Sequence, residues 1–489
     1  MKQKAPFLPG ISSQLSGRRP RRQIEALRLL RDQILSSSIC DYGQLFHRIL
    51  PIEGLEQSQQ TRRKRCYPEV VTFWAWISQL LERNASCHQA VTLVQNWYQE
   101  AGRSAPAFNT SSYCRARVRL SEAFLDHVAE SVSSFVESRA EAHHLWRGLR
   151  LKAIDGTSIR LMDTTQNQKE YPQPSRQKPG CGFPVMGVVG VLDLASGQLT
   201  DYVTCRHQEH DSVGFFQLRE SFSKGDLVIG DRAFCSYAML GYLLEKGAHS
   251  LMRLHQAREK KLSWKQGKKI DENSRIVVWK KPSAPPGSRM NKTEWDTLPD
   301  TLTLRLVRSS GNGRDGRKRT IYLITTLLDP EAYPTEEITA VYAERWKIEV
   351  KFRDIKTTMG LDEFRVKSPE MAHKTLRMMQ LCYNLIKALQ LESIRGEAIV
   401  MDELGFQGTI NVINEFRSSF RNLQNKPILL ARKLREVESR ITERILRLRP
   451  NRHEPRALKL RPNSGYQLLT KPRGEFVEIP HRTRYKKAA

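Results

Sequence analysis

The N-terminal third of the chain has the hydrophobic periodicity of α-helices. Apolar residues recur at helical spacing in residues 24–34, 70–81 and 90–98, with polar stretches between them. A further helical segment, residues 111–120, places three arginines around Tyr113. We therefore expect an all-helical, basic region that ends near residue 140. For any one of its arginines, the alternative is a solvated helix face.

From residue 149 the period changes to two, which is typical of β-strands. Residues 149–154 form a strand pattern that leads to Asp155, where we expect the strand to end. Residues 185–194 are a nearly continuous apolar run. A Ser-Gly turn at 196–197 then returns the chain along residues 198–204, so a hairpin is expected.

A second acidic residue follows another short apolar strand. Residues 226–230 predict this strand, which delivers Asp231 at its end. Ser236 is a suitable N-cap for a helix that Gly247 stops, and residues 250–254 predict the next strand. This succession of strands and a helix predicts a mixed α/β sheet.

The next segment interrupts the sheet pattern. Residues 256–319 are rich in Lys, Gly, Pro and Ser and contain short strand-like pieces, so we expect a β-rich insertion. The sheet resumes at residues 320–328, and a helix begins near Thr335. Another helix starts at residues 368–370, whereas the tail from about residue 450 lacks periodicity and is expected to be extended or disordered unless a partner orders it.

One helical segment places four polar side chains on a single stripe. At 100° per residue, with Tyr342 at zero, Arg345 falls at about −60°, Glu349 at about −20° and Lys356 at about −40°. Apolar side chains lie beside this stripe, so we expect the helix to pack on the sheet and to present the polar residues along the adjoining edge. The alternative is an ordinary amphipathic helix in which Arg345 and Glu349 form an i,i+4 ion pair.

Charge and composition narrow the class of partner. The chain of 489 residues has 80 Lys and Arg against 52 Asp and Glu, a net charge of +28, which suits a polyanion such as nucleic acid. It lacks an apolar run of about 18 residues and a hydrophobic signal core, so we expect an intracellular, cytoplasmic protein. Its eight cysteines are scattered without CxxC pairs, which signals neither a disulfide framework nor a zinc finger.

The acidic residues fit a metal site for phosphoryl transfer. Asp155 and Asp231 each follow an apolar strand, and burying such charges is costly unless they are paired or bound to metal. Carboxylate oxygens suit Mg²⁺ or Mn²⁺, and two such ions roughly 3.5–4 Å apart stabilise the attacking and leaving oxygens of an in-line displacement. Glu349 is the third acid of this hypothesis, although either aspartate taken singly could be a turn residue. The remaining polar residues of the helical stripe are suited to hold phosphates: Tyr342, Arg345 and Lys356.

These residues resemble a known family. The pattern of Tyr342, Arg345, Glu349 and Lys356 matches the Y-x2-R-x3-E-x6-K signature of the IS4 family of transposases at all four positions. Three further stretches are similar to motifs of that family: Ile154-Asp155-Gly156-Thr157, Gly230-Asp231-Arg232-Ala233-Phe234 and Tyr113-Cys114-x-Ala116-Arg117. The resemblance covers roughly residues 60–390.

The resemblance implies a DDE transposase. It implies a ribonuclease-H-like catalytic core interrupted by a β-rich insertion, with an N-terminal helical domain and a helical, basic C-terminal region. Two Mg²⁺ ions, which Mn²⁺ can replace, are then held by Asp155, Asp231 and Glu349. The family cuts DNA at the inverted repeats of its element and joins the freed 3′-hydroxyls to target DNA, which implies a homodimer on DNA at the bacterial nucleoid. The expected bounds are a DNA-binding region and two core parts flanking the insertion, then the C-terminal region: 1–140, 141–255, 256–319, 320–395 and 396–489.

Three points stay open at the level of sequence. Members of the family commonly pass through a DNA hairpin with the help of an aromatic base trap, but the expected position near Ile321-Tyr322 holds no Trp, so we name no residue for it. A ribonuclease-H-like nuclease that does not join strands is one alternative, because one metal site can use either water or a 3′-hydroxyl. A catalytically retired, transposase-derived DNA-binding protein is another, although such a protein needs no set of three acids.

Overall fold

The chain folds as a mixed α/β protein around one large β-sheet. Its computed structural model describes residues 41–51, 55, 65–82, 85–100, 102–139, 145–209, 211–259, 262–283, 290–312, 318–360, 364–421, 423, 426–446, 471–472 and 475–476. The strands in these ranges are β1 (Arg150–Arg160), β2 (Val185–Asp193), β3 (Leu199–Arg206), β4 (Asp226–Gly230), β5 (His249–Arg253), β6 (Lys268–Lys269), β7 (Ser274–Lys280), β8 (Thr301–Asn312) and β9 (Lys318–Thr325). The helices are α1 (Tyr42–Leu45), α2 (Glu69–Leu81), α3 (Cys87–Glu100), α4 (Ser111–Arg119), α5 (Glu122–Glu137), α6 (Thr165–Glu170), α7 (Asp211–Leu218), α8 (Tyr237–Glu245), α9 (Gln256–Glu259), α10 (Lys292–Thr297), α11 (Thr335–Ala343), α12 (Trp346–Arg353), α13 (Pro369–Ser393), α14 (Phe406–Phe416) and α15 (Pro427–Thr442).

Contacts divide the chain into two units. The first contains the described residues up to Ser131 together with Val412–Val437. The second contains Val132–Asn411 and the described residues from Glu438 onward. Both aspartates and Glu349 therefore belong to the second unit.

The first unit is built around the apolar helix α2. Phe73 and Trp74 of this helix are fully buried, and the Phe73 ring meets Phe124 edge to face with centroids 5.8 Å apart. Three helices predicted from the sequence are confirmed as α2, α3 and α4. The helix predicted over residues 24–34 lies outside the described residues.

Helix α4 gives its arginines different environments. The Arg117 guanidinium lies 4.0 Å from the centroid of the Trp76 ring, a cation–π contact inside the unit. Arg115 and Arg119 are exposed. The first arginine thus contributes to packing, and the other two present positive charge to solvent.

The sheet of the second unit joins antiparallel and parallel strands in the order β3-β2-β1-β4-β5-β9-β8-β7-β6. The pairs β1/β4 and β4/β5 are parallel, and the hairpin predicted after residue 185 is confirmed as the antiparallel pair β2/β3. The described strands of the segment expected to be an insertion, β6 to β8, extend this same sheet beyond β9. That segment also contains the helix α10.

Helices cover both faces of the sheet at β2, because successive residues of a strand point to opposite faces. Val189 packs under Gly214 of α7, where the methyl carbons of the valine leave no room for a further side chain. Its neighbour Gly190 packs under Phe352 of α12. Helix α13 lies over the β2/β3 hairpin, where the Gln380 amide donates to the Leu199 carbonyl at 2.9 Å. Strand β2 is consequently buried along its whole length.

The strand predicted to end at Asp155 is longer than expected, so that part of the prediction is wrong. Strand β1 runs on to Arg160 because β2 pairs with it up to Arg160. Strand β4 pairs with β1 only as far as Ile154. Asp155 is therefore the first residue of β1 that lacks a hydrogen-bonded neighbour on the β4 side, and that gap opens a cavity.

The single helix expected through Lys356 is also wrong. Helix α11 starts at Thr335 as predicted but ends at Ala343, where the amides of Glu344 and Arg345 bond to carbonyls three residues back. Helix α12 follows and passes into a π-helical turn, Asp354–Thr358. A uniform 100° step does not hold across a tight junction and a widened turn, so the projected position of Lys356 does not apply.

Several predicted helix ends are confirmed. The Ser236 hydroxyl accepts the Met239 amide at the start of α8, and Gly247, at φ +73°, follows its end. The Ser368 hydroxyl caps α13 in the same way. Residues 451–470 of the predicted tail lie outside the described ranges. None of the helices that the structure describes has the length and hydropathy needed to cross a bilayer.

Candidate active site

Three acidic residues from separate elements line one cavity of about 250 Å³. Ile154 of β1 pairs with Gly230 of β4 in a parallel register, so the residues that follow, Asp155 and Asp231, lie side by side. Glu349 enters from helix α12, which packs against β1. The full lining is Asp155, Asp231, Arg232, Arg253, Tyr342, Arg345 and Glu349.

The two aspartates are held by backbone amides at the strand edge. Asp155 Oδ1 accepts the Gly156 N–H at 2.8 Å, and Asp231 Oδ1 accepts the Ala233 N–H at 2.7 Å. Gly230 is required before the second aspartate, because a Cβ there would lie 2.7 Å from the sulfur of Met252. These contacts aim both carboxylates at the cavity.

Arg345 joins two of the acids. Its Nη1 lies 3.4 Å from Asp155 Oδ2, and its Nη2 donates to Glu349 Oε1 at 2.8 Å. The Arg345–Glu349 ion pair expected of an ordinary amphipathic helix is therefore present, but the same guanidinium also reaches Asp155 of β1. Arg345 is largely buried, with 17% of its side chain exposed. It balances charge inside the site rather than on an open helix face.

The cavity is electrostatically strained when no other cation is present. Burial raises the pKa of Asp155 to about 6, and the charges of Asp231 and Glu349 act in the same direction. The Gly156 amide and the Arg345 guanidinium oppose this shift. Three carboxylates around one cavity, with Asp155 desolvated, favour additional positive charge.

Tyr342 contributes a hydroxyl that keeps its proton. Burial raises the pKa of this phenol to about 12, although Arg345 and Arg253 act to lower it. Tyr342 is buried at the end of α11 and lines the cavity. At physiological pH its hydroxyl is therefore a hydrogen-bond donor facing the same space as the three acids.

Two arginines of the cavity were missed in the sequence. Arg232 directly follows Asp231, and Arg253 is the last residue of β5. Strand β5 runs parallel to β4, so both strands end at the same edge of the sheet. The strand predicted over residues 250–254 contained this signal, but the sequence did not show which strand is its neighbour.

Lys356 is not brought to the cavity with the other predicted site residues. It lies within the π-helical turn, half-buried, and it is absent from the residues that line the cavity. The structure thus assembles five of the six predicted site residues and places the sixth beyond them.

The acids fit a hard divalent cation by donor chemistry. All three offer oxygen ligands, which Mg²⁺ and Mn²⁺ prefer. In the described part of the chain, however, no three Asp, Glu, His or Cys side chains are already arranged around one metal position. The Arg345 guanidinium lies between Asp155 and Glu349 and pairs with one oxygen of each carboxylate.

Comparisons with known proteins relate the chain to transposases. Residues 146–385, which include all three acids, match the transposase DDE domain family. The chain is 26% identical over 336 residues to the transposase InsG for insertion sequence element IS4 of Escherichia coli (strain K12), covering 68% of this chain and 72% of the relative. It is 25% identical over 217 residues to the putative transposase InsZ of the same organism, covering 42% and 69%. A solved structure, the cryo-EM structure of the piggyBac transposase synaptic complex with hairpin DNA, aligns with 84% of this chain and 85% of its own at 10% identity and a TM-score of 0.40.

The fold and the matched domain define a transposase of the DDE class, which uses divalent metal to cleave and transfer DNA strands. Within that class, the chain is similar to the transposase of insertion sequence element IS4. Its activity is DNA transposition and its partner is DNA. These matches favour a transposase over a nuclease that does not join strands and over a retired DNA-binding protein.

Proposed function

We propose that Asp155, Asp231 and Glu349 together hold two Mg²⁺ ions, which Mn²⁺ can replace. With this site the enzyme cuts DNA at the inverted-repeat ends of a mobile element and joins the 3′-hydroxyls to target DNA. The observation that carries the proposal is the convergence of three carboxylates from β1, β4 and α12 on one cavity. When bound, the ions activate the attacking oxygen and stabilise the leaving one.

The basic residues around the acids position the DNA backbone. Arg345, which now pairs with Asp155 and Glu349, would bind a phosphate oxygen if these acids held metal, because a guanidinium binds either anion in the same planar geometry. Arg232 and Arg253 add positive charge at the wall of the cavity. The protonated Tyr342 hydroxyl donates a hydrogen bond to a phosphate oxygen. Lys356 contacts a phosphate outside the cavity.

The larger architecture belongs to the same proposal. The strand order β3-β2-β1-β4-β5, antiparallel and then parallel, supports a ribonuclease-H-like core. We assign residues 141–255 and 320–395 to this core and residues 256–319 to the β-rich insertion, with DNA-binding helices in residues 1–140. Because two element ends must meet, the active form is a homodimer on DNA at the bacterial nucleoid.

The test is strand cleavage and joining with DNA that carries the element's own ends. Those ends are found as inverted repeats that bracket the coding sequence, with short target duplications outside them. With Mg²⁺, the wild type is expected to release the 3′-hydroxyl and join it to target DNA. Glu349→Gln is expected to lose at least about 10³-fold in both steps, since it removes a metal ligand but keeps the side chain's shape.

Glu443→Gln is the matched control, because it makes the same change at an exposed i,i+3 pair with Arg440. It is expected to retain wild-type rates. Equal activity of Glu349→Gln and the wild type would refute the catalytic assignment. Cleaved ends without joined products would support the nuclease alternative instead.

A further inference from the structure

The helix that carries Glu349 is too short to set its own orientation. Helix α12 has eight residues and lies between a tight junction and a π-helical turn. Isolated helices of that length are unstable in water, so tertiary contacts must fix α12. Ile348 and Phe352 bury its apolar side. The hydrophobic effect is not directional, so a polar contact on another face of α12 adds direction to this packing.

The Asp402 carboxylate, which lies outside α12, forms ion pairs with two lysines of this helix. Asp402 Oδ2 lies 2.6 Å from Lys347 Nζ, and Asp402 Oδ1 lies 2.9 Å from Lys351 Nζ. The two lysines are one turn apart on the same face of α12, and Glu349 lies midway between them in sequence. At 100° per residue, Glu349 projects roughly 160° away from each lysine, on the opposite side of the helix.

The carboxylate is itself fixed by neighbouring backbone. Asp402 lies in a 3₁₀ turn, Met401–Glu403, that is closed by the Glu403 side chain accepting the Val400 amide at 3.0 Å. The Leu446 amide donates to the Glu403 carbonyl at 2.6 Å. The Gly405 amide donates to the Arg444 carbonyl at 3.1 Å. Asp402 thus offers a fixed anchor rather than a mobile surface charge.

Both lysines stabilise the charged form of Asp402. Burial acts to raise the pKa of Asp402, but attraction and hydrogen bonds from Lys351 and Lys347 outweigh it and bring the pKa below its ordinary value. Lys351 is buried, so removing its partner leaves a desolvated cation. Two charge-assisted bonds from one carboxylate give the geometry direction as well as energy.

We propose that Asp402 is a positioning residue that locks the rotation of α12 and thereby holds Glu349 towards the two aspartates. This inference rests on the proposed metal-binding role of Glu349. The contact of Asp402 with Lys347 and Lys351 lies on the opposite side of α12 from Glu349, outside the cavity. Loss of the contact lets α12 roll and moves the Glu349 carboxylate away from the site.

The test compares Asp402→Asn, Asp402→Glu and the control Glu443→Gln. Mn²⁺ affinity of the DNA-free protein is measured by electron paramagnetic resonance, and single-turnover cleavage is measured as a function of Mg²⁺. Asp402→Asn is expected to weaken Mn²⁺ binding on the order of 10-fold and to raise the Mg²⁺ concentration for half-maximal cleavage similarly, as for other groups that orient metal ligands. DNA affinity without metal should not change, and Asp402→Glu should restore part of the loss.

Wild-type Mn²⁺ affinity and Mg²⁺ dependence in a folded Asp402→Asn variant would overturn the proposal, even if its melting temperature fell. If that variant does not fold, Lys347→Met removes one of the two ion pairs of Asp402, at a side chain that is 33% exposed. The same readouts should then shift in the same direction, and unchanged values would again overturn the proposal. Glu349→Gln separates the two hypotheses. If Glu349→Gln still binds Mn²⁺ as the wild type does, the proposed metal site is wrong. If Glu349→Gln loses Mn²⁺ binding but Asp402→Asn does not weaken it, only the positioning role of Asp402 is wrong.

Discussion

At the scale of single residues, Arg345 supplies the positive charge that offsets the acids when no metal is bound. It is the side chain that bridges Asp155 and Glu349, and its removal leaves both acids without that counter-charge. Because like charges at a desolvated position repel, the metal-free form depends on this arginine. The same side chain contacts two of the three acids that are proposed to bind metal.

Arg345→Met is therefore expected to separate stability from metal binding. Without metal the variant should lose roughly 1–3 kcal/mol of unfolding free energy, the scale of hydrogen bonds to charged groups. Mn²⁺ should raise its melting temperature more than it raises that of the wild type, because the ion now replaces the missing cation. Differential scanning fluorimetry with and without Mn²⁺ measures both effects. Equal stabilisation of the two proteins by Mn²⁺ would contradict this reading.

Sequence predicted the identity of most residues at the site but not how they meet. Asp155 and Asp231 were placed after apolar strands, and the structure joins them through the β1/β4 register. Arg253 was missed because the pairing of β4 with β5 is a long-range contact that no local pattern encodes. Lys356 was placed on the stripe because a projection assumes one regular helix.

At the scale of elements, local periodicity predicted the longer strands and the helices α2, α3, α4, α8 and α13. Strand β4 was predicted with the bounds that the structure gives it. The end of β1 and the break after α11 were not predictable, because each depends on a neighbour. The end of β1 depends on how far β2 continues to pair with it beyond β4. The break after α11 goes with the packing of α12 on the sheet.

Gly190 tests whether that packing controls the site. A Cβ at this residue of β2 would lie 2.8 Å from Leu199 Cδ1 and 3.1 Å from Phe352 Cζ. Gly190→Ala is therefore expected to cost about 1–3 kcal/mol of stability through overpacking. It should also weaken Mn²⁺ binding, since the ring that must shift belongs to the helix of Glu349. Chemical denaturation and Mn²⁺ titration measure the two effects.

Gly241→Ala is the matched control for this change. In α8 a Cβ meets Leu298 Cδ2 at 3.3 Å, and the gain of about 0.5–1 kcal/mol for alanine in a helix offsets that mild crowding. Its Mn²⁺ affinity should equal that of the wild type. A Gly190→Ala variant as stable and as tight for Mn²⁺ as this control would show that α12 does not depend on close packing over β2.

At the scale of the whole molecule, the net charge of +28 is the dominant property. DNA binding releases counterions in proportion to the phosphates that the protein neutralises. If the protein neutralises six to ten phosphates, raising the salt concentration from 50 to 200 mM lowers its DNA affinity by roughly 10³–10⁵-fold. We expect a loss of affinity in this range for end DNA, measured by fluorescence anisotropy without metal. A flat response would mean that the positive charge does not serve DNA.

Asp155, Asp231 and Glu349 are proposed to act together as one metal site. Single-turnover cleavage of end DNA in Mg²⁺ by Asp155→Asn, Asp231→Asn, Glu349→Gln and the triple variant tests it most directly. Each single change is expected to lower the rate by at least about 10³-fold, and the triple variant should be no slower, because groups that act as a unit fail together. DNA affinity without metal serves as the folding control. A single variant that cleaves at the wild-type rate would contradict the account.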